Sequence, residues 1–227
     1  MTKLYTTRVG FTMVELLVCV AVIGVLASFL VPAFGRSLDA AHLTKCRGAM
    51  RGLSQGVILW ASEHEGELPR SSHSAFGYQQ RGWAKSILPY LGEPENPDNP
   101  TWLVLQKRYF RCQEDSLRTS GLSYGLNSFF ELDPDFDDYQ GSPQQWRRLA
   151  SIPSPTRTIL LAEVPSSADH VMAHFWEEGG IGYDVDIDRH NGKSQFAFAD
   201  GHIELLAIGK TFDPAAGINL WNPSTAR

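Results

Sequence analysis

The side chains of this sequence that could do chemistry are concentrated near its C-terminal end. His190 and Asp200 are a candidate acid–base pair. If a strand separates them, at about 3.3 Å per residue, they are too far apart to share a proton within one subunit. Asp184, Asp186 and Asp188 offer the oxygen ligands that Ca²⁺ prefers, but the glycine and the final glutamate of an EF-hand loop are missing. We expect turn and capping roles for the pair and a solvated acidic face for the aspartates, and keep a calcium site as an alternative.

Another chemically unusual residue, Glu15, lies in an apolar block near the N-terminus. It precedes 20 consecutive residues without a charge, Leu16 to Gly35. A helix of that length covers about 30 Å, which is the thickness of the hydrocarbon core of a bilayer. Lys3 and Arg8 are the charged residues before Glu15, so we expect a cytoplasmic N-terminus and an extracytoplasmic body. A lone carboxylate costs about 2.5–3.5 kcal/mol if it lies deep in a membrane, so Glu15 either snorkels at the cytoplasmic edge of the bilayer or has a partner.

The residues around Glu15 supply a family resemblance. Gly10-Phe11-Thr-Met-Val-Glu15-Leu-Leu resembles the cleavage and methylation motif of type IV prepilins. The resemblance implies that a prepilin peptidase cuts between Gly10 and Phe11 and that the new Phe11 amine is N-methylated. It also implies that Glu15 pairs with the Phe11 amine of a neighbouring pilin-like subunit during assembly of a homo- or hetero-filament. A buried carboxylate is tolerated when an amine accompanies it.

The same resemblance implies a domain organisation. Residues 1–10 would be a cleaved leader, residues 11–35 a transmembrane and assembly helix, and residues 36–227 an extracytoplasmic pilin-like domain. The protein would be a single-pass protein of the inner membrane that enters a filament.

The elements that must position these residues begin with one long helix. Apolar side chains recur at alternating spacings of three and four, which indicates an amphipathic helix: Leu43, Cys46, Met50, Leu53, Val57 and Trp60. No turn cluster separates them from the apolar run, so we predict a single helix from about Phe11 to His64, bent near Pro32. Ser54 lies in a G-x-S-x-G sequence typical of hydrolases, but a nucleophile needs a strand-to-helix turn and not a helix interior.

Two dipeptides near the C-terminus, Asn191-Gly192 and Asp200-Gly201, are strong signals for two-residue hairpin turns. Tight turns at both places predict a three-stranded antiparallel meander with one apolar face. In that register Ile187 faces Phe196, which faces Leu205, and Val185 faces Phe198, which faces Ile203. The opposite face collects Asp184, Asp186, Asp188, Ala197, Ala199, His202 and Glu204. The predicted fold class is α+β, a long N-terminal helix packed on a small antiparallel sheet, as in pilins.

Two further segments carry a clear local signal. Thr158 to Ala162 is an apolar run after a proline-rich turn and predicts a buried strand. Glu131 to Asp138 contains five carboxylates beside a proline and predicts an exposed loop.

The body also resembles one large bacterial subgroup of prepilin-like proteins. His190 to Gly201 is similar to its H-x9-DG motif, and Cys46 followed by Gly66-Glu-Leu-Pro69 is similar to its cysteine-containing helix and the turn after it. Phe110 to Asp115 resembles its Cys-Pro-x-Asp segment, with Gln113 in place of the proline. The H-x9-DG motif has no known role. We interpret Asp200-Gly201 as a folding signal, because these residues accept positive backbone angles.

One of the three cysteines lies in the apolar N-terminal run and the other two lie in the body. Cys19 lies in the apolar run and would behave as a small hydrophobic residue. Cys46 and Cys112 would both be extracytoplasmic, where disulfides persist. The spacing leaves two alternatives open, a Cys46–Cys112 disulfide or two buried free thiols.

The charge and the motifs together define the expected function. The formal net charge is −5, and the loss of Lys3 and Arg8 with the leader lowers it by two to −7, which argues against nucleic acid as a partner. We expect a non-enzymatic structural subunit of a type IV pilus-like or type II secretion pseudopilus filament, without a cofactor. The alternative is a membrane-anchored binding or hydrolytic domain that uses the prepilin signal for export, and a cleft with convergent polar residues would favour it.

Overall fold

Helix α1 covers Met13–Glu63, close to the bounds that the sequence predicts. In this computed structural model, residues 10–115, 121–132, 146–165, 168–176 and 184–226 are described, without the side chains of residues 32, 33 and 36. The predicted leader charges Lys3 and Arg8 and most of the predicted acidic loop therefore lie outside the described residues. The chain divides into two units, Met1–His42 and Leu43–Arg227.

The first unit contains the apolar part of α1. The segment Met13–Val31 has a mean hydropathy of 2.7, and none of it is buried. By length and composition it is able to cross a membrane. Its exposed side chains include Met13, Leu17 and Phe29, each at least 70% accessible.

In the second unit, the end of α1 contributes a buried stripe to the core. Its side chains share one cluster with residues of a β-sheet: Cys46, Met50, Leu53, Val57 and Ala61. The other helices are α2 (Ser72–Gly77), α3 (Trp83–Ser86) and α4 (Asn99–Tyr109). Short 3₁₀ turns lie at Leu88–Leu91, Ser128–Phe130, Leu149–Ser151, Ala173–Phe175, Ile208–Lys210 and Pro214–Ala216.

The sheet has five strands in the order β3-β1-β2-β4-β5. The strands are β1 (Tyr124–Asn127), β2 (Ile159–Glu163), β3 (His170–Val171), β4 (Ser194–Phe198) and β5 (Ile203–Leu206). A separate two-stranded pair is formed by β6 (Phe212–Asp213) and β7 (Ile218–Asn219). The fold class α+β is confirmed, but the sheet is mixed and not purely antiparallel, because β1 and β3 pair in parallel.

The predicted first strand of the meander is wrong. Asp184–Asp188 forms no strand, and the second neighbour of β4 is β2, the buried apolar strand that the sequence predicts after residue 158. All five residues of β2 are buried. An apolar strand is favoured in this central position, because placing three aspartates there would remove their carboxylates from water.

Both residues of the first turn dipeptide have positive φ, whereas in the second dipeptide only Gly201 does, and the second loop is longer than predicted. Asn191 and Gly192 have φ of 55° and 77°, and Gly201 has φ of 89°. The second loop contains three residues, 199–201, and Gly201 closes it. The register therefore differs by one residue from the prediction, since Phe196 faces Glu204 and Ala197 faces Ile203.

The two faces of β4 are also reversed relative to the prediction. Ala197 and Ala199, predicted on the solvent face, are buried in the cluster with α1. Phe196 and Phe198, predicted to face the helix, are buried in a second cluster on the other side of the sheet. The C-terminal segment covers that side with three large apolar side chains: Phe212, Leu220 and Trp221. Both faces of the central strands are thus buried.

Candidate functional site

The N-terminal motif forms the start of α1. Thr12 precedes the helix, and its backbone N–H and Oγ1 both donate to Glu15 Oε2 at 2.8 Å. The Glu15 N–H donates in return to Thr12 Oγ1 at 3.3 Å. This reciprocal arrangement is a capping box, whose T-x-x-E signature was present in the sequence and was missed there. Glu15 therefore has a local role besides the one that the resemblance implies.

Gly10 and Phe11 precede this cap. A Cβ atom added at Gly10 would meet no atom within 4 Å. Phe11 is 70% exposed. A substitution at Gly10 therefore tests recognition of the motif without a steric conflict in the described structure.

A recess of about 250 Å³ in the second unit brings together polar side chains that the sequence did not connect. Three histidines, three serines and Glu131 contribute to its lining: His73, His170, His174, Ser71, Ser74 and Ser128 together with Glu131. They come from the start of α2, the turn after β1, strand β3 and the 3₁₀ turn that follows it. These residues are far apart in sequence and follow no motif, so no sequence signal identifies them as a group.

Glu131 is the buried acid of this recess, although the sequence placed it in an exposed loop. It is 3% exposed, and this part of the loop prediction is wrong. Its Oε1 accepts a hydrogen bond from the Ser71 N–H, and its Oε2 accepts from the hydroxyls of Ser71 and Ser74. These donors at the start of α2 compensate the buried carboxylate, while burial raises the pKa of Glu131.

Two histidines of the recess have opposite electrostatic environments. The hydrogen bond of His170 Nδ1 to Asp169 Oδ1, 3.2 Å long, raises the pKa of His170. Burial lowers the pKa of His174 to about 4, so its imidazole is neutral near pH 7.

A serine next to His174 does not form a nucleophile–base pair. Ser128 Oγ lies 3.2 Å from His174 Nδ1, but the hydroxyl donates to the Val171 carbonyl at 2.8 Å. Its proton is therefore directed at a carbonyl oxygen and not at the imidazole. The recess is suited to binding a polar group, since it offers histidine donors and serine hydroxyls around a carboxyl.

We predict that His174 makes the protein sensitive to acid. Because its pKa falls from 6.5 unfolded to about 4 folded, its contribution to the free energy of unfolding is complete above pH 6.5 and is lost as the pH falls towards 4. His174→Gln should therefore show a weaker fall in melting temperature between pH 6.5 and pH 4 than the parent. His73→Gln, which changes an exposed histidine of the same recess, is the control. Equal slopes for the parent and His174→Gln would contradict the prediction.

A second cluster surrounds the cysteines of the body. Cys46 and Cys112 form a disulfide with a Cα–Cα distance of 5.2 Å. His190 Nε2 lies 3.9 Å from Cys112 Sγ and 3.0 Å from Glu163 Oε1. The His190 side chain is only 6% exposed, so the expectation that it merely flanks a turn is wrong. Glu163 was missed, although a carboxylate at the end of a fully apolar strand could have indicated it.

The remaining predicted residues of the H-x9-DG segment lie elsewhere. Asp200 Oδ1 is 2.6 Å from His202 Nδ1, at the end of β4 opposite to His190. The two members of the motif are thus separated and have different partners, as the strand argument predicts.

Two of the three aspartates weighed as calcium ligands have other partners. Asp184 accepts a hydrogen bond from the Met172 N–H at 3.1 Å, and Asp186 accepts one from Arg189 Nε at 2.9 Å. Among the described residues, the group of ligating atoms that converges is the cysteine cluster and not these carboxylates.

Arg189 links Asp186 to the sheet. Its side chain is 1% exposed and lies 2.8 Å from Asp186, 3.5 Å from Asp115 and 3.9 Å from Glu163. It also donates to two backbone carbonyl oxygens, each at 2.9 Å. Sequence reasoning missed this residue, because a single arginine beside scattered acids has no local signal.

Comparisons with known proteins add no assignment. No protein-family model matches the chain, and no curated protein or solved structure matches it either.

Proposed function

We propose that this chain is a structural subunit of a type IV pilus-like or type II secretion pseudopilus filament. In this proposal a prepilin peptidase cuts between Gly10 and Phe11, the Phe11 amine is N-methylated, and the apolar part of α1 anchors the subunit in the inner membrane. The body then lies outside that membrane, and assembly with other pilin-like subunits needs no cofactor and no nucleic acid.

The observation that carries the proposal is the coincidence of three features at the start of α1. The Gly10-Phe11 pair immediately precedes the helix, Glu15 is the third residue of that helix, and the segment Met13–Val31 is apolar and unburied. An unburied apolar helix of this length needs lipid or other apolar helices around it. Membrane insertion followed by helix packing in a filament supplies both.

The capping box adds a constraint on the role of Glu15. Glu15 Oε2 already accepts two hydrogen bonds from Thr12, while no described hydrogen bond engages Oε1. A neighbouring Phe11 amine could therefore bind to Oε1 without disrupting the cap. The pairing in the filament and the local cap are compatible.

We expect Glu15→Ala to leave cleavage intact and to reduce incorporation into sheared filaments by about 10-fold or more, since a hydrogen bond to a charged group contributes about 1.5–3 kcal/mol. Glu15→Gln separates the two roles, because glutamine preserves the capping box but has no charge for the amine.

Gly10→Val should retain the ten-residue leader, which intact-mass analysis of the membrane form measures.

The outcomes of this series are distinct. Defective assembly of both Glu15 variants supports the ion pair, whereas normal assembly of Glu15→Gln would restrict Glu15 to capping. Assembly of Glu15→Ala at the parent level contradicts the pairing, and a normal mature mass for Gly10→Val contradicts the cleavage site.

A second candidate function is a membrane-anchored binding domain, and the recess around Glu131 favours it. A cavity of about 250 Å³ with convergent histidine, serine and carboxyl groups is a plausible site for a small polar ligand. Fractionation distinguishes the two functions: a chain that stays in membranes and is absent from sheared filaments supports the binding domain.

A further inference from the structure

The disulfide of the body lies within a set of four metal-ligating side chains. The sulfurs of Cys46 and Cys112, one carboxylate oxygen of Glu163 and one ring nitrogen of His190 all lie within 4.8 Å of one another. Both cysteines are 1% exposed and Glu163 is fully buried, and the His190 side chain is 6% exposed. The cluster is therefore shielded from water on the side of all four ligands.

The distances suit a tetrahedral ion once the sulfurs separate. With Zn–S of about 2.3 Å and Zn–N or Zn–O of about 2.0–2.2 Å, neighbouring ligand atoms of a tetrahedron lie about 3.3–3.8 Å apart. The observed separations of His190 Nε2 from Cys112 Sγ and from Glu163 Oε1, 3.9 and 3.0 Å, are close to this range. The two bonded sulfurs must move apart, and reduction of their bond releases them to do so.

Hydrogen bonds from neighbouring residues orient the Glu163 carboxylate, as is usual for the ligands of a metal site. Glu163 Oε2 accepts the backbone N–H of Gln195 at 2.9 Å, which leaves Oε1 directed at His190. The Gln195 side chain, in a residue 1% exposed, lies with Nε2 3.5 Å from His190 Nε2 and donates from Nε2 to the Leu43 carbonyl oxygen at 3.2 Å. Its buried Oε1 has no hydrogen-bond partner among the described residues, so one polar atom beside the cluster is unsatisfied.

A positive charge lies beside the site. Two thiolates and one carboxylate around a divalent ion leave a net charge of −1. The buried guanidinium of Arg189 lies 3.9 Å from Glu163 and attracts this charge, although it is shared with Asp186 and Asp115.

We propose that Cys46, Cys112, Glu163 and His190 form a zinc site that becomes able to bind the metal when the disulfide is reduced. A dithiol donates two electrons and two protons to the Cys46–Cys112 bond, which breaks into two thiols while the dithiol becomes a disulfide. Zinc binding then displaces the two thiol protons, and both sulfurs bind the metal as thiolates. The disulfide and the zinc complex are mutually exclusive, because each uses the same pair of sulfurs.

The test is a Co²⁺ titration of the full chain in detergent micelles, oxidised or reduced with a phosphine that is then removed under anaerobic conditions. We expect the reduced protein to bind one equivalent of Co²⁺ with the visible absorption of a tetrahedral site and a thiolate charge-transfer band, which Zn²⁺ bleaches. The oxidised protein should show neither. A reduced parent without these bands, or an oxidised parent that develops them equally, would overturn the proposal, and this comparison needs no variant.

Two variants assign the ligands. Cys19→Ser removes the third thiol, which lies in the apolar helix, and should preserve the spectrum. His190→Ala should weaken Co²⁺ binding by more than about 100-fold, beyond the roughly 10–100-fold typical of losing a supporting residue. Loss of the spectrum in Cys19→Ser, or unchanged affinity in His190→Ala, would contradict the assigned ligand set.

Discussion

Replacing Arg189 with methionine is expected to lower the free energy of unfolding by about 3–5 kcal/mol, the cost of leaving buried charges without their partner. The guanidinium is 1% exposed and lies within 4 Å of Asp115, Glu163 and Asp186. Asp115 and Glu163 are themselves buried, so water cannot replace the lost charge. Methionine keeps an unbranched apolar side chain but lacks the guanidinium group, with its charge and its donors.

Urea denaturation of the full chain in detergent measures this effect. Arg108→Met is the matched control, because Arg108 pairs with Glu93 at 3.1 Å but its side chain is 65% exposed, and exposed pairs contribute about 0–1 kcal/mol. Arg189→Lys should lie between the two, since lysine keeps the charge but lacks the planar fork. If Arg189→Met were as stable as Arg108→Met, the buried network would not stabilise the fold.

Loss of the disulfide is the second large effect that we expect. The bond joins residues 66 positions apart, and loop-closure entropy for such a span corresponds to about 4 kcal/mol. Cys46→Ser and Cys112→Ser should each lower the free energy of unfolding by about this amount in the absence of metal.

The double variant provides the internal check. Cys46→Ser and Cys112→Ser remove the same bond, so the combined change should be close to either single change and far below their sum. Cys19→Ser should leave stability unchanged. Additive single effects would indicate that the thiols stabilise the body separately and not through their bond.

The sequence predicts the local features of this fold better than the long-range ones. The bounds of α1 and the buried strand β2 follow from apolar patterns that need no knowledge of distant residues. The positive φ angles of Asn191 and Gly201 likewise follow from the conformational preferences of these residue types.

The identity of strand neighbours could not be predicted in this way. The Asn191-Gly192 turn forms, yet the segment before it is not a strand, because β2 takes the place beside β4. The alternation of Phe196 and Phe198 shows that one face is apolar but not which layer covers it. Because both faces of β4 are covered, all five of its residues are buried. The alternation of side chains along the strand then no longer identifies a face exposed to solvent.

The candidate sites show the same difference between local features, which the sequence predicts, and long-range contacts, which it does not. Glu15 and its neighbours form a continuous motif and were found directly, whereas Glu131 and His174 meet only through the folding of separate loops. Cys46 and Cys112 were considered as a pair, but Glu163 joins them only because β2 ends beside the turn that carries His190.

The positions of these four residues along the chain determine the order in which they become available during synthesis. His190 follows Cys112 by 78 residues, which takes a ribosome about 4–16 s at 5–20 residues per second. Disulfide formation takes seconds to hours, depending on the oxidant. An oxidant that acts at the fast end of this range on the growing chain encounters both thiols before His190 has been made. We expect such a subunit to begin as the disulfide form, with metal uptake at a later stage in its lifetime, after a reductant has reached it.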